Sequence, residues 1–381
     1  MITSQDIAFM RQAMELAAKG EGAVNPNPLV GALIVHQGNV IASGYHERYG
    51  DLHAERNAFR QADTLGKDCH GATMYVTLEP CCHHGHQPPC TDAVMAHGIS
   101  RLVVGLMDPN PLVAGKGLEI LKNAGIQVEM IHETPEGCEL EDELRYQNRV
   151  FLKYITTGMP WVMAKWAMTL DGKTATRVGD SKWVSGEESR RYVHGLRKTL
   201  KGILCGIGTV LADDPMLNCR LEGNPRQPVR MVADRRLRIP LDSQLVKTAR
   251  DYRTVVVYGL GVDDSEYAEG SEAHEKLELL NQTGVECWHC RTLTDFLQKV
   301  AKEKIDGILL EGGGTLNDAF LQEGLIDEVA TFIAPKIIGG AKAKTPVDGN
   351  GFLLMSEAVQ LAHVTLKQLG NDILIHGLVQ K

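Results

Sequence analysis

A chain of 381 residues, 43% of them hydrophobic, is long enough to form two or three globular domains with sizeable cores. The net charge of −8 at pH 7 argues against a protein that binds the phosphate backbone of nucleic acids, although a free nucleotide needs only a local basic patch. Nine cysteines without regular framework spacing favour a reducing, cytoplasmic compartment over a secreted disulfide scaffold.

The first predicted elements are a helix and a β-hairpin. Ser4 and Asp6 are suitable residues to cap the helix at its start. A hairpin with strands over 29–36 and 39–45 follows, because apolar and β-branched residues flank a glycine turn. Asn27 precedes the first strand, where its amide could meet a substrate, but its flanking prolines favour a simple turn residue.

A histidine and two cysteines in the next segment have the pattern of a zinc site. His53 and Glu55 open a predicted helix, Cys81 follows a predicted strand over 72–77, and Cys90 opens another predicted helix. One imidazole and two thiolates supply the three protein ligands of a catalytic zinc, which keeps a fourth position for water. Glu55 is not needed as a ligand and is available to move protons, as in zinc-dependent base deaminases. The pattern predicts hydrolytic loss of an amino group from a heterocycle.

Two other interpretations of these residues remain open from the sequence. The eight residues between Cys81 and Cys90 exceed the two-residue gap usual in such deaminases, so the histidine and cysteines could be unrelated core residues. A structural zinc closed by a fourth protein ligand is the second possibility. His83, His84 and His86 are interpreted as loop residues over the active site, one of which could replace one of the three ligands.

The remaining elements of the first half predict an α/β domain. A strand over 101–105 leads to Asp108 and Asn110 beside glycine turns, where open α/β sheets bind ligands. A helix over 118–124 and a strand over 128–131 complete a three-layer α/β/α unit around a mixed sheet.

An acidic segment, one predicted helix over 139–151 and a Gly-Pro break after it mark the end of this unit. The sequence therefore predicts a deaminase domain over 1–150 and a second domain over 151–381.

The motifs of the first half resemble the deaminase half of the bifunctional riboflavin-biosynthesis deaminase/reductase family of bacteria. They are Pro26-Asn27-Pro28-x-Val30-Gly31, His53-Ala54-Glu55, Glu79-Pro80-Cys81-Cys82-His83-His84-Gly85, Pro88-Pro89-Cys90 and the run from Asp108 to Gly117. The resemblance implies a cytidine-deaminase-like fold, a Zn²⁺ ion, and a diaminohydroxyphosphoribosylaminopyrimidine that loses its 2-amino group. It also implies substrate contacts at Asn27, His46, Asp108 and Asn110.

One position departs from that family. Where its members usually carry Lys or Arg followed by Thr, this chain has His86 and Gln87. A basic residue there suits the substrate phosphate, so the histidine predicts a substrate affinity that depends on pH.

The second half alternates strands with turns and helices. Its predicted strands cover 161–168, 202–205, 229–233, 254–257, 308–310, 331–333, 362–366 and 373–378, and a helix covers 187–200. Gly312, Gly313 and Gly314 lie between a strand and a helix, where free N–H groups can hold a phosphate. The absence of G-x-G-x-x-G at the first turn excludes a standard Rossmann domain.

This half resembles the reductase half of the same family, which is similar to dihydrofolate reductase and uses NADPH. The motifs are Thr169-Leu170-Asp171-Gly172, Ser181-x-Trp183, Thr209–Pro215 and Glu311-Gly312-Gly313-x-Thr315-Leu316. The resemblance implies hydride transfer that opens the ribosyl group to a ribityl chain. Implied NADPH contacts are Ala167, Trp183, Thr209, Asp213, Gly312, Gly313, Gly314, Thr315 and Leu316; implied substrate contacts are Ser181, Arg197, Leu217, Arg220 and Glu311.

Several roles in this half have alternatives. Arg197 and Arg220 suit a phosphate because guanidinium groups bind it through paired hydrogen bonds, although a solvated helix charge would look the same for Arg197. Lys165 and Asp213 are both candidates for proton transfer, and a structural ion pair is an equal alternative. Ala167 stands where the family usually has glycine.

The resemblance implies a small pyrimidine ribonucleotide as substrate and a homo-oligomer, a dimer or tetramer. The acidic charge and the absence of a long apolar run predict no nucleic-acid or membrane partner. The alternative is a zinc deaminase whose second half binds nucleotide without reducing anything. Cys287 and Cys290 form a C-x-x-C pair, but they follow a predicted strand and have no second pair nearby, which favours packing over metal binding.

Overall fold

The computed structural model describes residues 1–83, 87–110, 113–223 and 225–380. The chain forms two compact units, Met1–Gly158 and Met159–Lys381, and each has its own sheet and hydrophobic core. The boundary predicted at residue 150 lies inside the helix Arg149–Thr157, which packs on the first core through Phe151. Among the described residues, none of the helices combines the length and the hydropathy needed to cross a membrane.

The first unit contains a five-stranded mixed sheet in the order β2-β1-β3-β4-β5. The strands are β1 Gly31–His36, β2 Asn39–Tyr45, β3 Thr73–Leu78, β4 Arg101–Leu106 and β5 Gln127–Met130. Strand β1 is antiparallel to both neighbours, whereas β3, β4 and β5 run parallel. The segments that follow β3 and β4 therefore leave the sheet at the same edge.

The α-helices that the described residues of this unit form are α1 Ser4–Ala18, α2 Ala54–Thr64, α3 Cys90–Ala96, α4 Lys116–Asn123, α5 Pro135–Gln147 and α6 Arg149–Thr157. Helices α1 and α5 pack together, and α3 packs between α2 and α4, so the helices form two groups. This confirms the predicted α/β architecture. Gly31 allows α1 to approach β1 closely, because a Cβ atom there would lie 2.0 Å from the carbonyl oxygen of Ala13.

Two local predictions in this unit were wrong. Thr3, rather than Ser4, caps α1: its side chain accepts a hydrogen bond from the Asp6 N–H, and the Asp6 carboxylate accepts one from the Thr3 N–H. The single helix predicted over 139–151 is instead α5 and α6. They meet at Asn148, whose side chain bonds both the N–H and the carbonyl of Leu29, at 2.8 and 3.0 Å.

The second unit contains a nine-stranded sheet in the order β10-β9-β8-β7-β11-β6-β12-β14-β13. The strands are β6 Trp161–Thr169, β7 Gly202–Gly206, β8 Val229–Ala233, β9 Thr254–Tyr258, β10 Glu286–His289, β11 Gly307–Leu310, β12 Glu328–Ala334, β13 Leu361–Leu369 and β14 Asp372–Val379. The first seven in spatial order are parallel, β14 is antiparallel to β12, and β13 is antiparallel to β14.

The helices of this unit are α7 Glu187–Thr199, α8 Ile207–Asp213, α9 Gln244–Lys247, α10 Glu272–Thr283, α11 Leu293–Lys302 and α12 Gly314–Gln322. The sequence predictions include α7 and the helix after the three glycines but omit the others. Adjacent parallel strands β7, β11 and β6 bring the segments after their carboxyl ends together, which positions the second site.

Candidate active sites

The three predicted zinc ligands lie together in the first unit. His53 immediately precedes α2, Cys81 lies three residues beyond β3, and Cys90 is the first residue of α3. The His53 Nδ1 atom is 3.4 Å from the Sγ atoms of both cysteines. A tetrahedral zinc, with bonds of about 2.0 Å to nitrogen and 2.3 Å to sulfur, separates such atoms by about 3.5 Å. The donor atoms therefore fit a zinc ion.

Hydrogen bonds prepare the sulfur atom of Cys81 for this role, whereas the same hydrogen bond to Cys81 raises the pKa of the Cys90 thiol. The Cys90 thiol and the His53 imidazole both hydrogen-bond to Cys81, and together they lower the pKa of the Cys81 thiol to about 4. The backbone N–H of Cys90 also donates to Cys81 Sγ, at 3.4 Å. Thiolate is the form of cysteine that binds metals, so the pocket favours the ligand form of Cys81.

Arg56, which the sequence interpretation missed, ties two parts of this site together. Its guanidinium donates to the carbonyl oxygens of Pro88 and Pro89, at 3.2 and 2.9 Å. Helix α2 therefore carries His53 and also fixes the segment that leads into Cys90. Its place directly after Glu55 in the sequence was a hint that it belongs to the site. Its hydrogen-bond partners could not be predicted, because they lie more than thirty residues away along the chain.

Glu55 lies in the first turn of α2 and is only 3% exposed. Burial raises the pKa of its carboxyl group, and the nearby Cys81 raises it further. Because the raised pKa brings the neutral form of the carboxyl closer to physiological pH, the group can both accept and return a proton.

His46 and Asn27 lie beside the ligand cluster. The His46 ring is 5.4 Å from the His53 ring, centroid to centroid. Its Nδ1 atom lies 3.0 Å from the carbonyl of Leu52, and its Nε2 atom lies 3.1 Å from Asn27 Nδ2. Burial lowers the pKa of His46, so the ring is neutral, with Nδ1 donating to Leu52 and Nε2 accepting from the Asn27 amide. This fixes the orientation of Asn27.

The loop after β4 carries Asp108 and Asn110, and Glu79 holds it in place. The buried Glu79 carboxylate accepts hydrogen bonds from the N–H groups of Asp108 (3.3 Å), Gly115 (2.9 Å) and Gly117 (3.0 Å). The Asn110 N–H donates to Asp108 Oδ1 at 2.9 Å. Burial raises the pKa of Asp108 to about 6, and the Glu79 and Cys81 charges act in the same direction. The predicted role of His86 falls outside the described residues.

The second unit contains a cavity of about 1060 Å³ at the carboxyl ends of its parallel strands. Of the predicted NADPH and substrate contacts, those that line it are Ala167, Ser181, Trp183, Thr209, Asp213, Arg197, Arg220, Glu311, Gly312, Gly313, Gly314, Thr315 and Leu316. Leu217 does not line it: its side chain is 3% exposed and packs in a hydrophobic cluster behind the wall. Its φ of 48° places it in the left-handed region.

A buried group of three charges forms the floor of this cavity. Arg197 donates two hydrogen bonds to Glu311, from Nε at 2.6 Å and from Nη2 at 2.9 Å. Lys165 Nζ lies 3.9 Å from an oxygen of the same carboxylate. Burial raises the pKa of Glu311, but Arg197 and Lys165 outweigh that effect and hold it at about 2. Burial also lowers the pKa of Lys165.

Arg220 and His194 form the adjacent wall. Arg220 Nη1 donates to Asn218 Oδ1 at 2.8 Å, and the Arg220 backbone N–H donates to His194 Nδ1 at 3.3 Å. Burial, together with Arg197 and Arg220, lowers the pKa of His194 to about 4. The sequence interpretation missed His194, although it lies three residues before Arg197 on α7 and so shares its face of the helix.

Glycines, the start of α12 and cationic side chains also line the cavity. The Gly313 N–H points to Thr209 Oγ1 at 3.4 Å, and the Ser181 hydroxyl donates to Asp213 Oδ1 at 3.3 Å. The Trp183 ring is 63% exposed and stacks against the Arg190 guanidinium, which is 4.6 Å from its centroid. Three further arginines line the cavity, namely Arg235, Arg238 and Arg291.

Cys287 and Cys290, the C-x-x-C pair, do not belong to a cluster of metal ligands among the described residues. Burial raises the pKa of the Cys287 thiol to about 11 and also raises that of Cys290. Within the described ranges, the group of His53, Cys81 and Cys90 is the only one whose ligand atoms are close enough to hold a metal ion.

Comparison with known proteins assigns both units to families. Residues 3–106 match the cytidine and deoxycytidylate deaminase zinc-binding region, and residues 160–375 match the RibD C-terminal domain. The riboflavin biosynthesis protein RibD of Actinobacillus pleuropneumoniae is 45% identical over 99% of this chain and 96% of its own length.

Two solved structures have the same fold over the whole chain. Form 1 of Acinetobacter baumannii RibD is 38% identical, covers 99% of both chains and superposes with a TM-score of 0.85. The Thermotoga maritima diaminohydroxyphosphoribosylaminopyrimidine deaminase/5-amino-6-(5-phosphoribosylamino)uracil reductase is 34% identical, with the same coverage and a TM-score of 0.83.

These similarities favour the two-enzyme interpretation over a deaminase with an inactive second half, because relatives match the chain over both units. They also indicate a zinc ion for the first unit and a nicotinamide cofactor for the second. The chain belongs to the RibD family and is a bifunctional deaminase and reductase of riboflavin biosynthesis.

Proposed function

We propose that the domain of residues 1–150 removes the 2-amino group of 2,5-diamino-6-(5-phosphoribosylamino)pyrimidin-4-one. The domain of residues 151–381 then reduces the ribosyl group of the product to ribityl with NADPH. The observation that carries the proposal is the presence, in one chain, of a buried carboxyl beside a His-Cys-Cys cluster and of a large cavity built around a buried Lys-Glu-Arg group.

In the deaminase unit, His53, Cys81 and Cys90 would hold the zinc ion. Zinc, when bound, lowers the pKa of a water molecule so that hydroxide is available near neutral pH. Glu55 accepts a proton from the attacking water and passes it to the ring nitrogen. It then accepts the proton of the newly added hydroxyl group and passes that one to the departing amine, which leaves as ammonia. Its raised pKa suits both steps, because burial makes the carboxylate a stronger proton acceptor than an exposed glutamate.

Four further residues of this unit would orient the pyrimidine. Asn27 donates one amide hydrogen to the neutral His46, which leaves its carbonyl oxygen and second amide hydrogen for the substrate. Asp108 and Asn110 belong to the loop that Glu79 holds, at the same edge of the sheet as Cys81.

In the reductase unit, NADPH supplies a hydride when bound. The predicted contacts at Thr209 and at residues 312–316 surround the start of α12, where backbone N–H groups favour phosphate. Lys165 is the better candidate than Asp213 for holding a proton near the sugar. Lys165 Nζ is buried beside Glu311, whereas Asp213 lies at an exposed position and accepts the Ser181 hydroxyl.

We propose NADPH rather than NADH as the cofactor because of arginine side chains that line the cavity of the second unit. Arg235 and Arg238 line the cavity, and a guanidinium group can bind the extra 2′-phosphate of NADPH. We expect Arg235→Gln and Arg238→Gln to raise the KM for NADPH while leaving that for NADH unchanged. Arg236→Gln is the matched control, because Arg236 is exposed, pairs with Glu266 and does not line the cavity.

The assembly and location of the enzyme are also proposals. The substrate is a small pyrimidine ribonucleotide, the chain forms a dimer or tetramer, and the enzyme is cytoplasmic. All nine cysteines lie within the described residues and none forms a disulfide, which supports a reducing compartment.

The decisive experiment incubates the purified chain with the diaminopyrimidine phosphate and NADPH. Ammonia release and loss of nicotinamide absorbance are followed separately. We expect ammonia to be released without NADPH and NADPH to be consumed only after deamination. Ammonia release without any NADPH consumption would contradict the reductase half of the proposal.

A further inference from the structure

The segment of residues 234–239, which we name the arginine turn, follows β8 and is built around one buried carboxylate. The Asp234 side chain is fully buried, and its Oδ2 atom accepts a hydrogen bond from the Ile239 N–H at 2.7 Å. The N–H of Leu237 donates to the Asp234 carbonyl oxygen at 3.1 Å, which closes the turn. One residue therefore holds both the middle and the far end of the segment.

The arginine turn has a buried side and an exposed side. Leu237 and Ile239 are buried in a hydrophobic cluster of the second unit. Arg235 and Arg238 are exposed, and both line the cavity. Because buried and exposed side chains leave the same short backbone, the bond between Asp234 and Ile239 helps to fix the points from which the two arginine side chains extend.

The conformation of Leu237 shows that the turn needs such support. Its φ of 54° lies in the left-handed region, which costs a residue other than glycine free energy. A backbone of this kind persists only where the surrounding contacts hold it. The hydrogen bond from Ile239 to Asp234 spans Leu237 and is one of these contacts, so we expect the turn to relax when the carboxylate is removed.

We propose that Asp234 is a positioning residue for cofactor selection: its carboxylate holds the arginine turn in the form that keeps Arg235 and Arg238 on the wall of the cavity, where they select NADPH over NADH. This inference rests on the proposed function, in which these two arginines bind the 2′-phosphate of NADPH. NADH lacks that phosphate, so a relaxed turn should weaken the binding of NADPH and leave the binding of NADH unchanged.

The alternative is a purely structural role, in which the hydrogen bond stabilises the unit without affecting the choice of cofactor. Asp234→Asn separates geometry from charge, because its amide oxygen can still accept the Ile239 N–H. Asp327→Ala is the matched control, since Asp327 is 5% exposed and accepts the Val162 N–H at 2.8 Å. Asp327 precedes β12, at the amino end of that strand, whereas the cavity lies at the carboxyl ends of the parallel strands.

Fluorescence of the reduced nicotinamide, titrated with the full chain, gives the dissociation constants of NADPH and NADH without catalysis. The preference for NADPH is the ratio of the NADH constant to the NADPH constant. We expect Asp234→Ala to lower this ratio about tenfold, since hydrogen bonds to a charged group are weakened. Asp234→Asn and Asp327→Ala should keep the wild-type ratio, and Arg235→Gln and Arg238→Gln should each lower it.

An unchanged ratio in Asp234→Ala, or an equal weakening of both cofactors, would overturn the inference; a lower ratio in the arginine variants would still support the proposed function. A lower ratio in Asp234→Asn would also overturn it, because the charge and not the hydrogen bond would then be responsible. A wild-type chain that binds NADPH and NADH equally would contradict both the proposed cofactor and the role of Asp234. If circular dichroism shows that Asp234→Ala does not fold, the same criteria apply to Asp234→Ser, whose hydroxyl oxygen lies one bond nearer the backbone than a carboxylate oxygen.

Discussion

Glu311→Gln removes the negative charge from the centre of the buried Arg197-Glu311-Lys165 group. The Glu311 and Arg197 side chains are only 10% and 12% exposed, so the arginine would keep its charge without its partner. Breaking a buried ion pair in this way costs about 3–5 kcal/mol. The lowering of the Glu311 pKa from 4.5 to about 2 corresponds to a similar value, about 3 kcal/mol.

The same reasoning predicts how the effect depends on pH. The pKa of the Glu311 carboxyl group is lower in the folded than in the unfolded chain. Its contribution to stability is therefore complete above the pKa of the unfolded chain, near 4.5, and is lost as the pH falls towards 2. We therefore expect the stability difference between wild type and Glu311→Gln to be constant from pH 7 to pH 5. By pH 3.5 it should fall by about 1 kcal/mol.

Tryptophan fluorescence during urea unfolding isolates this effect. All four tryptophans, Trp161, Trp166, Trp183 and Trp288, belong to the second unit, so the signal reports that unit alone. Glu286→Gln is the matched control: Glu286 bonds Arg253 in the same forked geometry, at 2.7 and 3.0 Å, but the pair is about 40% exposed. We expect the control to cost less than about 1 kcal/mol. Equal losses of unfolding free energy in the two variants, or a loss in Glu311→Gln that does not change with pH, would refute the argument.

Three other predictions follow from the described contacts. Glu55→Gln should reduce ammonia release by about 10²–10⁴-fold while the zinc content, measured by atomic spectroscopy, is unchanged; loss of zinc would instead make Glu55 a ligand. Removal of zinc with a chelator should abolish ammonia release but leave the reduction of supplied deaminated substrate intact, because the ligand atoms of His53, Cys81 and Cys90 all belong to the first unit. Gly31→Ala should destabilise the first unit by about 3 kcal/mol or more in calorimetry, the upper end of the usual cost of overpacking, because its Cβ would collide with Ala13. Gly195→Ala is the control, because no atom lies within 4 Å of its Cβ position; it should be neutral or stabilise α7 by up to about 1 kcal/mol.

The parts of the site that depend on local sequence could be predicted. His53 begins a helix and Cys81 follows a strand, and both features are visible in short windows of the sequence. The order of parallel strands then brings Asp108 to the same edge, which a general rule for α/β sheets anticipates.

The parts that depend on distant partners could not be predicted in this way. Arg197 and Glu311 are 114 residues apart, and only the resemblance to a family identified either residue as functional. Asn148 interrupts a predicted helix because it bonds Leu29, 119 residues away. Some omissions were avoidable: Thr292 and Asp295 form a capping box at the start of α11, a signal that the sequence contains.

The three N–H groups that converge on Glu79 limit how the loop after β4 can evolve. Asp108, Gly115 and Gly117 reach one carboxylate from fixed positions along the chain, so an insertion or deletion between them would leave buried N–H groups without acceptors. Substitutions that keep the length preserve all three bonds. New pyrimidine preferences in this enzyme should therefore come from exchanged side chains in a loop of constant length.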